Sequence, residues 1–142
     1  MPSPQTPPEP RQVGADWTHQ HTRLTITVCH ACSGRWFPPR EACSTCASTD
    51  VENVASDTHG TVYASSVVRI APRGFQAPYV LTYVDISGVR LLAHSPTSDQ
   101  ALKPGTPVEL TVAPIADTDG GALMSYAVTP LDDPHTPTGE QR

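Results

Sequence analysis

Apolar and polar residues alternate with a period of two along much of the chain, which is the pattern of half-buried β-strands. Leu24, Ile26 and Val28 alternate with threonines in a first predicted strand that leads directly into Cys29. From about His59 onward the same pattern predicts five further strands. They cover residues 62–70, 79–86, 89–94, 108–115 and 122–128. The fold is therefore predicted to be mainly β, with little helix.

The residues between these five strands predict how the strands are connected. Ser87-Gly88 forms a short hairpin turn, and the acidic run 117–121 ends in two glycines and forms another. A proline-containing loop covers residues 71–78. The link 95–106 is longer and has room for one helical turn at 99–102. Five strands connected in this way are typical of a Greek-key barrel of OB type, although a sandwich or an SH3-like barrel also fits the pattern.

Both ends of the chain are poor in the apolar residues that a core needs. Five of the first ten residues are proline, and residues 131–142 are polar, acidic and proline-bearing. Such segments bury too little surface to offset chain entropy, so 1–15 and 131–142 are predicted to be disordered tails. A turn or two of helix is expected at 13–21. The rest is predicted to divide into residues 16–50, a short helix or strand with a metal-held ribbon, and residues 51–130, the OB-fold barrel.

The chain contains two C-x2-C pairs, Cys29 with Cys32 and Cys43 with Cys46, and ten residues separate the pairs. Each pair turns two sulfurs toward one point, and Zn²⁺ takes four such ligands in a tetrahedron. Iron in a rubredoxin-like site uses the same geometry and is the alternative metal. Four thiolates leave no open position for water or substrate, so the predicted zinc is structural. His30 lies between the ligands and is expected to be an exposed loop residue.

The expected location is the cytoplasm. The chain has no apolar run long enough for a membrane span, and its N-terminus lacks the basic and apolar regions of a secretory signal. In a reducing compartment, four cysteines are more readily explained by a metal than by disulfides.

Motifs that would indicate an enzyme are missing from the sequence. There is no G-x-S-x-G, no phosphate-binding glycine loop and no H-E-x-x-H. With the four cysteines assigned to the metal, no free thiol remains as a nucleophile. His94 is expected to be a packing or edge residue, and Asp85 to be a turn acid. Taken alone, the sequence does not indicate catalysis.

A zinc ribbon joined to an OB barrel also fits a protein that binds single-stranded nucleic acid. Such binding needs a basic groove and exposed aromatic faces. Aromatic residues make up 6% of this chain, and its formal net charge is −5. These values disfavour a long polyanion as ligand, and nucleic-acid binding is kept as the alternative function.

The segment between the two cysteine pairs carries a family resemblance, because it contains Phe37-Pro38-Pro39-Arg40. Weaker landmarks follow at 59–63, 77–80, 88–91 and 102–108. Over about residues 16–130 the chain resembles the zinc-ribbon/OB-fold acyl-CoA-associated proteins, formerly domain of unknown function family thirty-five. Two departures stand out. Ser33 replaces the usual glycine after the second cysteine, and the helical hairpin that often precedes the ribbon is reduced to about residues 13–21.

The resemblance implies a non-catalytic accessory subunit. Members of the family associate, as hetero-oligomers, with thiolase-superfamily enzymes: thiolases, aldolases, ketosynthases or acyltransferases of lipid and polyketide metabolism. The enzyme holds the catalytic residues, and the resemblance allows a CoA thioester to be shared between the two chains. A membrane is not expected as a partner.

Several side chains are candidates for binding CoA or the partner. Guanidinium groups make forked bonds to phosphates and carboxylates, and Arg35 and Arg40 flank the ribbon hairpin. Arg40 has the alternative of packing inside the ribbon. Phe75 lies in the loop 71–78 and is a candidate anchor in a partner pocket. The full candidate set is Arg35, Arg40, Arg69, Arg73, Phe75 and Tyr79.

Overall fold

The computed structural model describes residues 11–12, 18–19 and 23–131, and every regular element in these ranges is a β-strand. The strands are β1 (Arg11–Gln12), β2 (Thr18–His19), β3 (Arg23–Cys29), β4 (Arg35–Trp36), β5 (Val51–Ala55), β6 (His59–Val68), β7 (Tyr79–Ile86), β8 (Val89–His94), β9 (Pro107–Thr118) and β10 (Gly121–Pro130). Over these ranges the chain forms no helix of the length and apolarity that a membrane span requires.

Five strands, β6 to β10, close into a barrel. Going round it, β6 pairs with β7, β7 with β8, β8 with β10, β10 with β9, and β9 with β6 again. All of these pairs are antiparallel except β8 with β10, which meet in parallel at His94 and Ala127. The short strand β1 adds in parallel to β10. The closed order confirms the predicted OB-type barrel.

Strand β3 is the centre of a second, smaller sheet. It pairs with β2 at its start and with β4 at its end, and along Thr25–Cys29 it pairs antiparallel with β5. The short strands β2, β4 and β5 were not predicted. The predicted boundary between residues 50 and 51 stays a prediction, and β5, which follows it, pairs with the ribbon strand β3.

One apolar core connects the ribbon to the barrel. Leu24 and Ile26 of β3 have no solvent-exposed surface, and they pack in the same cluster as the inward side chains of the barrel. The other buried members of the cluster are Val62, Val84, Ile86, Val89, Leu91, Ala93, Val108, Leu110 and Val128. Phe37 of the ribbon and Tyr126 of β10 pack against it edge to face, with ring centroids 5.8 Å apart. Apolar packing therefore holds the ribbon against the barrel.

The strand predictions agree with the structure best where a turn lies between two clear alternations. Strands β7 and β8 have the predicted bounds, and Ser87-Gly88 joins them. Strand β6 begins earlier than predicted and ends at Val68, while β9 and β10 are longer at both ends.

Two helical predictions are wrong where the structure describes the chain. Thr18 and His19 are extended and pair with Leu24 and Arg23 instead of forming a helical turn. The other residues of 13–21 lie outside the described residues. No helical turn forms at 99–102, because the link is held by tight turns on either side: Ser98 donates to the Ser95 carbonyl at 3.1 Å, and Thr106 to the Lys103 carbonyl at 3.1 Å.

The predicted tails lie almost wholly outside the described residues. Within them, Arg11–Gln12 form β1 beside Leu123 and Met124, and the Leu131 amide donates to the Pro107 carbonyl at 3.0 Å.

Candidate functional site

The two cysteine turns share the same backbone conformation and hydrogen-bonding pattern. In the first, the Ser33 amide donates to the Cys29 carbonyl at 2.9 Å; in the second, the Ala47 amide donates to the Cys43 carbonyl at 2.8 Å. The residue after the second cysteine has a positive φ in both turns, 65° at Ser33 and 62° at Ala47. That conformation favours glycine, which explains why glycine is expected at position 33.

The structure brings the four predicted ligands together. The sulfur atoms of Cys29, Cys32, Cys43 and Cys46 all lie within 4.8 Å of one another. The Cys29–Cys46 sulfur distance is 3.6 Å and the Cys32–Cys43 distance is 3.5 Å. A tetrahedral zinc with bonds of about 2.3 Å holds its sulfurs about 3.8 Å apart. The arrangement therefore fits a closed zinc site with four cysteine ligands.

The four close thiols influence one another's ionisation. At Cys32 the backbone amide of Gly34 has the largest influence and lowers the pKa. The Cys43 side chain, burial, and the Cys46 and Cys29 side chains together raise the pKa to about 12. Sulfurs this close oppose one another's ionisation, and a divalent cation is what allows all four to be thiolates.

Cys43 is surrounded by hydrogen-bond donors. The Cys46 backbone amide lowers its pKa most; burial opposes this, and Thr45, Cys32 and the Trp36 indole lower it further, to about 6. The Trp36 Nε1 is buried and has no hydrogen-bond partner among the described residues, but it lies near enough to Cys43 to lower the pKa of that thiol. An indole N–H that is buried beside a sulfur is satisfied when that sulfur is a thiolate, so this donor also matches a metal-bound Cys43.

Arg40 makes its contacts within the ribbon, which was the alternative role considered for it. Its guanidinium lies 5.0 Å from the centre of the Trp36 ring, and its Nη1 donates to the Ser44 hydroxyl at 2.6 Å. Its backbone amide donates to the buried Thr27 hydroxyl at 2.8 Å, which in turn donates to Asn53 Oδ1 at 2.7 Å. Arg40 therefore links the second cysteine turn and β4 to β3 and, through Thr27, to β5.

Arg35 reaches from the ribbon to the barrel. Its Nη1 donates to the Ser87 carbonyl at 3.2 Å, in the turn between β7 and β8. Gly88 has a φ of +84°, and a Cβ there would lie 2.7 Å from the Arg35 Cδ. The Ser87 hydroxyl accepts the Asp57 amide at 2.8 Å, so the same turn is held from two sides.

Arg69 and Arg73 differ from the other arginines of residues 23–131. Both are exposed, and neither makes a hydrogen bond, ion pair or ring contact in the part of the chain that the structure describes. Arg69 precedes the loop 71–78, and Arg73 lies in it. The Asp117 amide links this loop to β9 by donating to the Gly74 carbonyl at 2.9 Å. Of the four candidate arginines, these two remain available for a ligand.

Phe75 and Tyr79 lie in a cluster of rings with His94. The ring centroids are 5.6 Å apart for Phe75–Tyr79, 6.0 Å for Phe75–His94 and 5.4 Å for Tyr79–His94. Burial lowers the pKa of His94. Tyr79 and His94 line an open groove of about 560 Å³. Phe75 is thus half-buried among the chain's own rings, and its role as a partner anchor stays a prediction.

Asp85 was expected to be a turn acid, but it forms an ion pair across the β7–β8 hairpin. Arg90 donates through Nε to Oδ1 at 2.7 Å and through Nη2 to Oδ2 at 3.1 Å. This bidentate bond lowers the pKa of Asp85. The Arg90 guanidinium also stacks 3.4 Å from the centre of the Tyr63 ring. His30, by contrast, is exposed as expected, with its Nε2 3.2 Å from Glu52.

Sequence reasoning missed three exposed apolar side chains on the barrel. Ile70 is 92% exposed, Tyr83 45% and Leu92 44%. Ile70 was assigned to the end of a strand, but β6 ends at Val68. The strict alternation of β7 places Tyr83 on the outer face, and this signal was available in the sequence. Leu92 lies between the apolar residues Leu91 and Ala93, so the alternation of β8 is not visible in the sequence.

Two family models match adjacent parts of the chain. The model described as "ChsH2, rubredoxin-like zinc ribbon domain" matches residues 20–52, and "ChsH2, C-terminal OB-fold domain" matches residues 53–113. Together they cover about two thirds of the chain.

Similar proteins include two archaeal relatives, each named "DUF35 domain-containing scaffold protein". The one from Methanocaldococcus jannaschii is 34% identical over 87 residues, which is 57% of this chain and 62% of the relative's length. The one from Pyrococcus furiosus is 29% identical over 130 residues, covering 87% of this chain and 96% of the relative.

A solved structure named "Ltp2-ChsH2(DUF35) aldolase" contains a similar chain. It superposes with a TM-score of 0.59 at 29% identity, covering 76% of this chain and 84% of that one. The cysteine geometry, the closed barrel and both family models agree, and they establish the four-cysteine cluster as a structural zinc site. This chain belongs to the ChsH2-type family of zinc-ribbon and OB-fold proteins, the DUF35 family.

Proposed function

We propose that this chain is a non-catalytic accessory subunit of a thiolase-like enzyme in the cytoplasm. It binds a thiolase, aldolase, ketosynthase or acyltransferase as a hetero-oligomer and supports the handling of an acyl-CoA or acyl chain. The observation that carries the proposal is the similarity to the ChsH2 chain of an aldolase, over 84% of that chain. The scaffold names of the archaeal relatives support the same role.

The chemistry of the metal site supports a structural role for this subunit. Four sulfurs fill the coordination sphere of a tetrahedral zinc, so substrate has no position on the metal. The two groups that the sequence singled out as possible acid or base are held by neighbours: Asp85 by Arg90, and His94 by two aromatic rings. A subunit of this kind contributes shape and surface, while the partner supplies the reacting groups.

The arrangement of arginines supports one part of the surface as the place of contact. Arg35 and Arg40 are committed to contacts within the chain. Arg69 and Arg73 are exposed and free within the described residues, and we propose that they meet carboxylates of the enzyme or phosphates of a CoA held between the two chains. Phe75, in the same loop as Arg73, and Tyr79, the first residue of β7, complete the predicted set.

Single-stranded nucleic acid, the alternative ligand, is less compatible with the aromatic surface. Base stacking requires open ring faces. Phe75, Tyr79 and His94 stack on one another, and Arg90 covers the Tyr63 ring. Among the described residues, Tyr83 is the strongly exposed ring that these contacts do not cover, and one such ring favours a protein partner over a run of stacked bases.

The test is purification of the full-length tagged chain from its native cells, with mass spectrometry of the proteins that accompany it. We expect a thiolase-superfamily enzyme in a fixed molar ratio. Acyl-CoA turnover is then measured for the chain, for the enzyme and for the complex, and we expect none for the chain alone and the most for the complex. Turnover by the isolated chain, or nucleic acid that survives nuclease and high salt in place of an enzyme, would contradict the proposal.

A further inference from the structure

Exposed apolar side chains of the barrel are concentrated on one side. The structure describes five large hydrophobic residues that are strongly exposed, and four of them belong to β6, β7, β8 or the residues directly after β6. These four are Tyr63, Ile70, Tyr83 and Leu92, and the fifth is Leu131. Scattered exposed residues need no explanation, but a contiguous group on one sheet face indicates an interaction surface.

The strand register brings the members of this group that lie on the strands together. Tyr83 lies opposite Leu92 on one side and Ala64 on the other, and Val68 lies opposite Tyr79. A bulge in β6 between Val62 and Ala64 leaves Tyr63 as an extra residue, and its ring comes to lie beside Arg90 on the outer face. We call the outer side chains Val68, Ile70, Leu81, Tyr83 and Leu92 the β6–β8 patch.

The centre of the patch is a shallow groove. It has a volume of about 390 Å³ and is lined mostly by apolar atoms of Ala64, Ser65, Ser66, Val68, Leu81, Tyr83 and Leu92. Ile70 follows the lining residue Val68 by two positions in the chain, and 92% of its surface is exposed. An aromatic residue and branched aliphatics around a shallow groove are the composition of an interface core.

The charges around the patch determine what fits it. Arg69 and Arg73 lie on either side of Ile70 in the sequence, and both are unpaired in the described residues. The one acid in the sequence from 59 to 94, Asp85, is already bound to Arg90. A two-fold contact between copies of this chain would bring these patches together with four arginines and no unpaired acid from β6, β7 or β8. Charge complementarity therefore favours a different protein, with carboxylates beside an apolar centre.

We propose that the β6–β8 patch, with Arg69 and Arg73 at its rim, is the surface by which this chain binds its enzyme. The inference rests on the proposed function and adds the location and chemistry of the contact: apolar side chains of the enzyme cover Tyr83 and Leu92, a pocket takes Ile70, and acidic side chains meet the two arginines. The zinc ribbon lies outside the contact and acts through its packing on the barrel.

The test uses the enzyme identified by copurification and measures its affinity for variants of the full-length chain. The double variant Tyr83→Ser with Leu92→Ser, and the single variant Ile70→Ser, should each bind about 30-fold or more weakly, because central apolar anchors dominate binding energy. Arg69→Glu with Arg73→Glu should slow association about tenfold, and this effect should shrink at high salt. The matched controls are Leu131→Ser and Lys103→Glu, which change an exposed apolar side chain and a cation away from the patch.

A second measurement does not depend on how the variants fold. A photo-crosslinking residue at position 70 should join to the enzyme, whereas the same residue at position 131 should not. If the wild-type chain binds the enzyme and the patch variants bind equally well, the patch is not the interface, although the proposed function stands. If the wild-type chain binds no thiolase-superfamily enzyme, both are overturned. Loss of self-association in the patch variants with unchanged enzyme affinity also overturns the inference.

Discussion

The ribbon and the barrel bury different kinds of side chain. Between residues 29 and 50 the buried residues are two cysteines, Cys29 and Cys43, and the remaining side chains are half-buried or exposed. The barrel strands β6 to β10 contribute nine members of an apolar cluster. A core of that size supports a fold by packing, whereas a segment with two buried cysteines depends on the metal for its shape.

Strand β3 contributes both to the apolar core and to the zinc site. Its first half supplies Leu24 and Ile26 to the apolar core, and its last residue, Cys29, is a zinc ligand. The position of the ribbon on the barrel is therefore set by packing, and the internal shape of the ribbon by the sulfurs. The contact of Arg35 with the Ser87 carbonyl adds a polar link between the same two regions.

Removal of one zinc ligand should unfold the ribbon and leave the barrel folded, which is the largest difference expected between the two regions. Cys43→Ser should abolish stable zinc binding, since a structural site contributes on the order of 10 kcal/mol to folding of its own segment. Zinc content measured by mass spectrometry should fall from one per chain to none. Backbone hydrogen exchange should become fast at 29–50 and stay slow in β7 and β8.

The matched control for this variant is Ser44→Ala, which alters the neighbouring exposed residue and its bond from Arg40 but leaves all four sulfurs. It should keep its zinc. If β7 and β8 lose protection in Cys43→Ser together with the ribbon, the two regions form one cooperative unit and the comparison fails.

Truncation of the shared strand should affect both regions. Ile26 is fully buried in the common core, so Ile26→Ala should reduce the free energy of unfolding by about 3 kcal/mol through lost contacts and a cavity. Urea denaturation followed by circular dichroism measures this change. Val28→Ala, on the same strand but half-buried, is the control and should cost about 1 kcal/mol or less. Equal losses in the two variants would contradict the shared core.

The parts of the fold that sequence predicts well are those fixed by local patterns. The β7–β8 hairpin has a clear alternation on each side of Ser87-Gly88, and its bounds agree with the prediction. Strand β5 was missed because Glu52 and Asn53 interrupt its apolar pattern, and it is extended only because it pairs with β3. Such pairing is a tertiary property that a period of two does not reveal.

The distinction between local patterns and tertiary contacts also applies to the site. The cysteine spacing predicts the ligands, because zinc coordination imposes it. The roles of the arginines depend on distances between segments far apart in sequence: Arg35 contacts Ser87, and Arg40 covers Trp36. The exposure of Ile70 follows from where β6 ends, which the alternation alone did not fix.

The Trp36 indole should have a smaller effect on the zinc site than any ligand. Trp36→Phe keeps an aromatic ring for Arg40 and removes the buried N–H beside Cys43. A hydrogen bond to a charged acceptor contributes about 1.5 kcal/mol or more, so zinc loss to a chromogenic chelator should be about tenfold faster. Arg40→Gln, which keeps the indole, should change the rate less. If both variants lose zinc at the wild-type rate, the indole does not support the thiolate.

The smallest expected effect lies in the barrel and separates its pH response from that of the ribbon. Burial lowers the pKa of His94 below its ordinary value of 6.5, so the unfolded chain takes up this proton first. Stability should therefore fall as the pH falls through that value toward the lower pKa of the folded state. His94→Phe keeps a ring against Phe75 and Tyr79 but cannot titrate. Its melting temperature relative to wild type should rise as the pH is lowered from about 7.5 to 5.5, in zinc-containing buffer. Because the cysteine ligands titrate equally in both proteins, parallel melting curves would show that His94 contributes nothing to the acid response.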